Sequence, residues 1–307
     1  MPVPNKLDIS GRRLCNCPEK HLNCMSAKEW IKAQIGVWEV FYEGSDVRDK
    51  EIHPAVMPIA LARKAIELFT HRGELVLDPF NGIGTTLVAC NDLERNAVGF
   101  DINPRYCETA KARLSKRMLQ GKTKQEVVCE DARSISEYLG SGSVSLIFTS
   151  PPYANLLNRA RLNKSRRGDL RQNKQFLRVE QYSQDPRDLG TLAVERYSQE
   201  MRTVYAGLLP LLKPGGHAVV NVPDMWWKSG RYGTRVPIHI YIYQSLIEAG
   251  YEFRNTIIWD RTNIVNKVGI FGWPSNYITM GTTFEYLLDF WRPPKPDGAA
   301  LELDPES

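Results

Sequence analysis

Apolar residues along the chain recur in two spacings that take turns. Short β-prone runs occur at Glu74–Asp78, Asn96–Asp101, Glu126–Ala132, Val144–Thr149, His217–Asp224, Phe253–Asp260 and Phe284–Trp291. Between them lie stretches with helical spacing, at Ile59–Phe69, Leu87–Cys90, Pro104–Met118, Tyr197–Leu212 and Ile238–Ala249. Ser26 and Glu29 form a capping-box pair that starts a helix running through Trp30 to Trp38, followed by polar linker from Phe41 into the 50s. Strand alternating with helix implies an α/β fold, a doubly wound and mainly parallel sheet with helices on both faces. Residues 1–25 carry prolines and no period, and read as an irregular arm. Residues 26–292 form the main domain, and the proline-rich, then acidic stretch 293–307 reads as a flexible tail.

Two stretches stand out from this pattern. The run Ser145-Leu-Ile-Phe-Thr-Ser-Pro-Pro-Tyr153 stops at two prolines, neither of which has a backbone donor, so the strand must end there at a sheet's edge. Ser150, two rigid backbone carbonyls and the ring of Tyr153 are left within reach of a ligand. Upstream, Glu74-Leu-Val-Leu-Asp-Pro-Phe-Asn-Gly-Ile-Gly-Thr-Thr86 reads as strand, tight glycine loop and helix start. Gly82 and Gly84 permit close backbone approach, and Thr85 or Thr86 can cap the helix. That is a cofactor cradle, although Leu87 stands where the dinucleotide fingerprint would have a third glycine. Asp101 ends a strand roughly 20 positions beyond the loop, where a carboxylate can accept both hydroxyls of a ribose; the alternative is a cap on the next helix. Asp131 ends the third strand at the same rim.

Together, Asp78-Pro-Phe-Asn-Gly-Ile-Gly-Thr-Thr86 and Thr149-Ser-Pro-Pro-Tyr153 resemble the two signature motifs of S-adenosylmethionine-dependent DNA amino-methyltransferases. The resemblance runs from about His53 to Trp291, with the cofactor motif ahead of the catalytic one. It implies a Rossmann-like, class I methyltransferase fold and S-adenosyl-L-methionine as cofactor. On the same ground Asp78, Pro79, Phe80, Asn81, Gly82, Gly84, Thr85 and Thr86 make the cofactor loop, with His53 and Pro54 near the methionine end. Asp101 takes the ribose, Asp131 approaches the adenine amino group, and Ala132 offers its backbone amide to the ring. Ser150, Pro151, Pro152 and Tyr153 are the catalytic residues.

The chemistry gives these residue types their sense. An exocyclic amino group on a base is a poor nucleophile because its lone pair is delocalised into the ring. The Ser150 hydroxyl and the Pro151 carbonyl, both acceptors, can take its two hydrogens and aim the lone pair at a sulfonium methyl. The base must first leave the duplex stack, and Tyr153 offers a flat surface for it. Ser before Pro-Pro-Tyr is commoner among the family's cytosine-N4 enzymes, so N4 of cytosine is the favoured target and N6 of adenine the alternative. An RNA methyltransferase and a non-catalytic nucleic-acid-binding subunit also stay open. The absence of any Pro-Cys dipeptide argues against methylation at carbon 5 of cytosine, which needs a thiolate nucleophile.

Charge adds a partner to this picture. The net charge is only +5, but Arg159, Arg161, Lys164, Arg166, Arg167, Arg171, Lys174 and Arg178 cluster within an insert at 154–192, and Asp169 is the one acid among them. After a catalytic strand such a run reads as a lid that grips DNA phosphates, with a solvated loop as the alternative. No separate target-recognition domain is evident, so sequence choice falls to this insert, to the segment from Arg261 to Thr283, or to a specificity or restriction partner protein.

Six cysteines are present. Cys90, Cys107 and Cys129 read as small core residues, and Cys15-Asn-Cys17, His21 and Cys24 supply four zinc-type ligands at a spacing tighter than paired zinc knuckles. Reduced thiols in an irregular leader, without metal, are the expectation there, and a structural zinc the alternative. No run of about 18 apolar residues occurs, and Met1-Pro-Val-Pro-Asn-Lys lacks the core of a signal peptide, so the expectation is a cytoplasmic protein with no membrane contact.

Overall fold

The computed structural model describes residues 6–18, 20–49, 56–117, 122–156, 183, 185–229, 232–262 and 282–294. Its first half holds α1 (Ala27–Ala33), β1 (Val37–Glu39), α2 (Gly44–Asp49), α3 (Ile59–Phe69), β2 (Leu75–Asp78), α4 (Thr85–Asp92), β3 (Asn96–Asp101), α5 (Pro104–Ser115), β4 (Gln125–Cys129), α6 (Ile135–Tyr138) and β5 (Val144–Thr149). The second holds α7 (Val194–Leu208), β6 (Leu212–Val222), β7 (Met225–Ser229), β8 (Tyr232–Val236), α8 (Ile238–Glu248), β9 (Glu252–Asp260) and β10 (Phe284–Trp291).

Eight strands make one sheet in the order β1-β9-β10-β6-β5-β2-β3-β4. Neighbours are parallel except β10, which runs antiparallel to both β9 and β6. A period of two sorts the side chains between the faces. Leu75, Leu77, Val98, Phe100, Ile147 and Val220 pack with α7 and α8, while Val76, Ala97, Leu146, Phe148 and Val219 pack with α3, α4 and α5. The doubly wound, mainly parallel expectation is met.

Long-range pairing overrides local pattern at several places. The helix begun by the Ser26–Glu29 capping box ends at Ala33 instead of running to Trp38. Val37–Glu39 pair in parallel with β9, and the Trp38 ring is fully buried among α3 residues. The polar linker after Phe41 contains α2. Helix α7 begins and ends earlier than its apolar spacing suggests, and β6 starts at Leu212, passing through Pro214-Gly-Gly216 by means of a bulge against β5. The hairpin β7–β8 carries no signal that sequence reading caught. The double proline does not mark a sheet edge: β5 lies mid-sheet between β2 and β6, and the prolines mark its carboxyl end. The arm is irregular but attached. Leu7 N–H donates to the Tyr138 carbonyl at 3.0 Å, and Leu14 N–H to the Arg72 carbonyl at 2.8 Å. Among the described residues no helix is long and apolar enough to cross a membrane.

Gly99 on β3 pairs with Asp78 and carries the glycine loop directly on its backbone. A Cβ there would lie 2.4 Å from Cγ and Oδ1 of Asn81. Gly99→Ala therefore has to displace a buried loop, and the expected loss is about 1–3 kcal/mol, read as a lower urea midpoint with unchanged slope.

Candidate functional site

The two motif strands are adjacent at the centre of the sheet, with Val76 paired to Leu146 and Leu77 to Ile147. From β2 the chain winds outward through β3 and β4, then returns to β5 and continues on the other side. Such a switch point opens a crevice at the carboxyl ends of the strands. A cleft with about 920 Å³ of open space lies there, lined by the loop from Asp78 to Thr85 and by Ser150–Tyr153. Asp101–Asn103, Tyr106, Glu130–Ala132, Val56, Met57 and the segment around Arg187–Leu189 complete it.

Asp78 ties the two motifs together. Its Oδ1 accepts from the Thr149 hydroxyl at 2.6 Å and from Phe80 N–H at 3.1 Å, and its Oδ2 accepts from the Thr86 hydroxyl at 2.6 Å. Burial raises its pKa to about 6 against the opposing pull of those three donors. Thr86 therefore serves the carboxylate and does not cap its helix; Gly84, in the left-handed region at φ 82°, is the cap residue. Asn81 packs on Gly99, donates its N–H to the Phe100 carbonyl at 2.8 Å, and keeps both side-chain polar atoms buried without a partner among the described residues.

Asp101 faces the loop across the cleft. Gly82 N–H donates to its Oδ2 at 2.7 Å and Asn103 N–H to its Oδ1 at 2.8 Å. Burial lifts its pKa to about 7, opposed by these two amides and reinforced by the charge on Asp78. The helix cap is Asn103, so the alternative role for Asp101 falls away. Asp131 is held differently. Arg133 forks onto it at 3.0 and 2.6 Å and also reaches Glu200 at 2.7 Å. Its carboxylate is thus neutralised by a neighbouring cation, while Ala132 opens the following 3-10 turn beside the cleft.

In the Ser150–Tyr153 turn Ser150 Oγ and Tyr153 Oη lie 2.9 Å apart. Tyr153 is only 7% exposed, so its ring forms cleft wall with little free face, and burial pushes its phenol well above the usual range. Pro151 and Pro152 line the cleft beside it.

Ser150, Pro151, Pro152, Tyr153, Asp78, Pro79, Phe80, Asn81, Gly82, Thr85, Asp101, Asp131 and Ala132 all line one cleft. Gly84 and Thr86 sit just behind it. His53, Pro54 and the basic run Arg159, Arg161, Lys164, Arg166, Arg167, Arg171, Lys174 and Arg178 lie outside the described residues. The end of the insert is folded: Arg187 pairs with Asp185 at 2.8 Å and with Glu130 at 3.3 Å. Sequence reading missed a polar cluster behind Tyr153. Arg261 is paired with Glu285, which accepts from Asn221 Nδ2 at 2.7 Å, and Arg261 also lies over the Trp259 ring. Glu285, one of two acids with Asp289 inside the mostly apolar run Phe284–Trp291, was the available signal.

A sequence profile described as DNA methylase, covering N6 and N4 enzymes, matches residues 18–112 and 144–305. Type II methyltransferase M.HpaI of Haemophilus parainfluenzae is 40% identical over 78 residues, 25% of each chain. Type II methyltransferase M.BglI of Bacillus subtilis is 29% identical over 116 residues, 38% of this chain and 32% of that one. The matched stretch thus spans a quarter to a third of these relatives. Among solved structures, TrmN from Thermus thermophilus aligns over 80% of this chain and 53% of its own, with a TM-score of 0.47 and 14% identity.

Thr149→Val keeps the shape of the side chain and removes one donor to Asp78. A carboxyl whose folded pKa lies above its unfolded one contributes stability that is complete below the unfolded value and lost as pH rises through the folded value, here about 6. Losing the donor raises that folded value further. The variant is expected to lose about 1–3 kcal/mol at neutral pH and less in mild acid, measured by urea unfolding at both.

Proposed function

The chain belongs to the N6/N4 DNA methylase family, and on that premise we propose that it transfers a methyl group from S-adenosylmethionine to the exocyclic amino group of a base turned out of DNA, with N4 of cytosine as target. The observation that carries this is the shared cleft of the glycine loop and the Ser150–Tyr153 turn. The choice of cytosine rests on Ser150, since serine is the commoner residue there in cytosine-N4 members. The designation of M.HpaI and M.BglI as Type II methyltransferases supports a place in a restriction-modification pair.

The residues present suit the cofactor. Each Asp101 oxygen already accepts one backbone N–H and keeps a lone pair for a ribose hydroxyl. The buried Asn81 amide has donor and acceptor capacity to spend, and Phe80, Ile102 and Tyr106 give the cleft an apolar side for a purine. The acidic lining of Asp78 and Asp101 complements a sulfonium cation. When bound, S-adenosylmethionine supplies an electrophilic methyl with a neutral thioether as leaving group. Ser150 and the Pro151 carbonyl accept hydrogen bonds from the two amino hydrogens and turn the nitrogen lone pair towards that methyl, and the methylated nitrogen then sheds one proton to solvent. The Ser150 hydroxyl has two lone pairs, so it can accept from the base while it stays hydrogen-bonded to the Tyr153 hydroxyl 2.9 Å away, and Tyr153 thereby orients the serine as well as walling the base. The basic run from Arg159 to Lys174 grips phosphates of the opened DNA.

Mass spectrometry of nucleosides from DNA treated with the protein and S-adenosylmethionine is expected to yield N4-methylcytosine. N6-methyladenine would move the target to adenine, and label in RNA alone would overturn the DNA assignment. Ser150→Ala is expected to cut turnover by about 10²-fold or more with cofactor affinity unchanged; equal turnover would remove Ser150 from the reaction.

Cofactor affinity carries a second signature. Asp101, with its pKa lifted to about 7, is largely protonated in mild acid, and two hydroxyl donors require the carboxylate. S-adenosylmethionine binding is therefore expected to weaken about tenfold per pH unit below about 7 and to release a proton. Calorimetry in buffers of different ionisation enthalpy measures both.

A further inference from the structure

At the opposite end of β2, the turn between α3 and β2 brings His71 against the amino-terminal arm. The Sγ atoms of Cys15, Cys17 and Cys24 and a ring nitrogen of His71 all lie within 4.8 Å of one another. His71 Nδ1 is 3.3 Å from Cys15 Sγ and 3.5 Å from Cys24 Sγ. A tetrahedral zinc with sulfur at about 2.3 Å and nitrogen at about 2.0 Å requires S···N edges of about 3.6 Å and S···S edges of about 3.8 Å. The cluster already has nearly that size.

The tautomer is settled by the other ring nitrogen. His71 Nε2 lies 2.7 Å from the His21 carbonyl oxygen, which can only accept, so Nε2 carries the proton. Nδ1 then turns an unprotonated lone pair towards the thiols, in the orientation that a ligating histidine takes when its second nitrogen donates to a carbonyl. Around the cluster, Arg72 N–H points at Cys24 Sγ at 3.4 Å, and the Arg13 guanidinium reaches the His21 carbonyl at 3.4 Å. Three thiolates and one Zn²⁺ leave one net negative charge, which such donors offset. His71 is fully buried, and the arm residues around it contain no helix or strand among the described residues.

From this geometry we propose that Cys15, Cys17, Cys24 and His71 bind one structural Zn²⁺, which fastens the arm to the amino end of β2. His21, the histidine nearest the cysteines in sequence, takes part through its backbone carbonyl and not through its ring. With four protein ligands the zinc has no open position, and it sits at the opposite end of the sheet from the cleft, so its role is to hold the fold.

The test uses the full chain, purified under reducing conditions without a metal-binding tag. Elemental analysis is expected to find about one zinc per chain, and cobalt exchanged into the site to give tetrahedral visible bands with thiolate-to-cobalt charge transfer in the near ultraviolet. Cys17→Ser and His71→Ala are expected to lose the metal, whereas His21→Ala keeps it. His71→Cys supplies a fourth thiolate and is expected to keep metal with an altered cobalt spectrum, which separates ligation from packing if His71→Ala fails to fold. The proposal is overturned if the reduced wild-type chain takes up neither zinc nor cobalt, if metal is lost with His21→Ala but kept with His71→Ala, or if the protein isolated without oxygen contains a disulfide among these cysteines.

Discussion

The site depends on a single buried carboxylate. Asp78 is 1% exposed, and an ion so deep in the protein persists only with donors arranged round it. Those donors come from three places: its own loop at Phe80, the helix behind the loop at Thr86, and the neighbouring strand at Thr149. Thr149 immediately precedes Ser150. The hydrogen bond that satisfies the carboxylate therefore also sets where the Ser150–Tyr153 turn stands relative to the glycine loop.

Around that pin the cleft's acids differ in what neutralises them. Asp131 is gripped by Arg133 and Glu130 is paired with Arg187, whereas the Asp101 carboxylate accepts from the backbone amides of Gly82 and Asn103. Burial without a cation raises its pKa. Tyr153 makes a comparable compromise. Most of its ring is buried, so it contributes a rigid wall and an oxygen for Ser150 more than an open stacking face.

The two ends of β2 have opposite duties. Its carboxyl end holds Asp78 and the loop, and its amino end meets the arm and the cluster at His71. Four residues of strand span about 13 Å, so the two are not in contact. Glu74, at the head of this strand, accepts from Lys213 and from the His71 N–H, which ties the arm's anchor to the start of β6.

Strong local patterns survived folding unchanged. Helix α3 and strand β10 occupy the residues that their periodicity indicates, the Ser26–Glu29 cap forms, and both motifs lie at strand ends as proline and glycine chemistry requires. These features rest on neighbours in the chain, so a reader of residues can find them. Trp38 joining a strand beside β9, Thr149 serving the Asp78 carboxylate, and Glu285 forming an ion pair with Arg261 each depend on residues further off in the chain. The clearest instance is the histidine beside the three cysteines. Spacing nominated His21 because it is close in sequence, but the turn after α3 delivers His71 to that position, and a packing decision of this kind leaves no trace in local pattern.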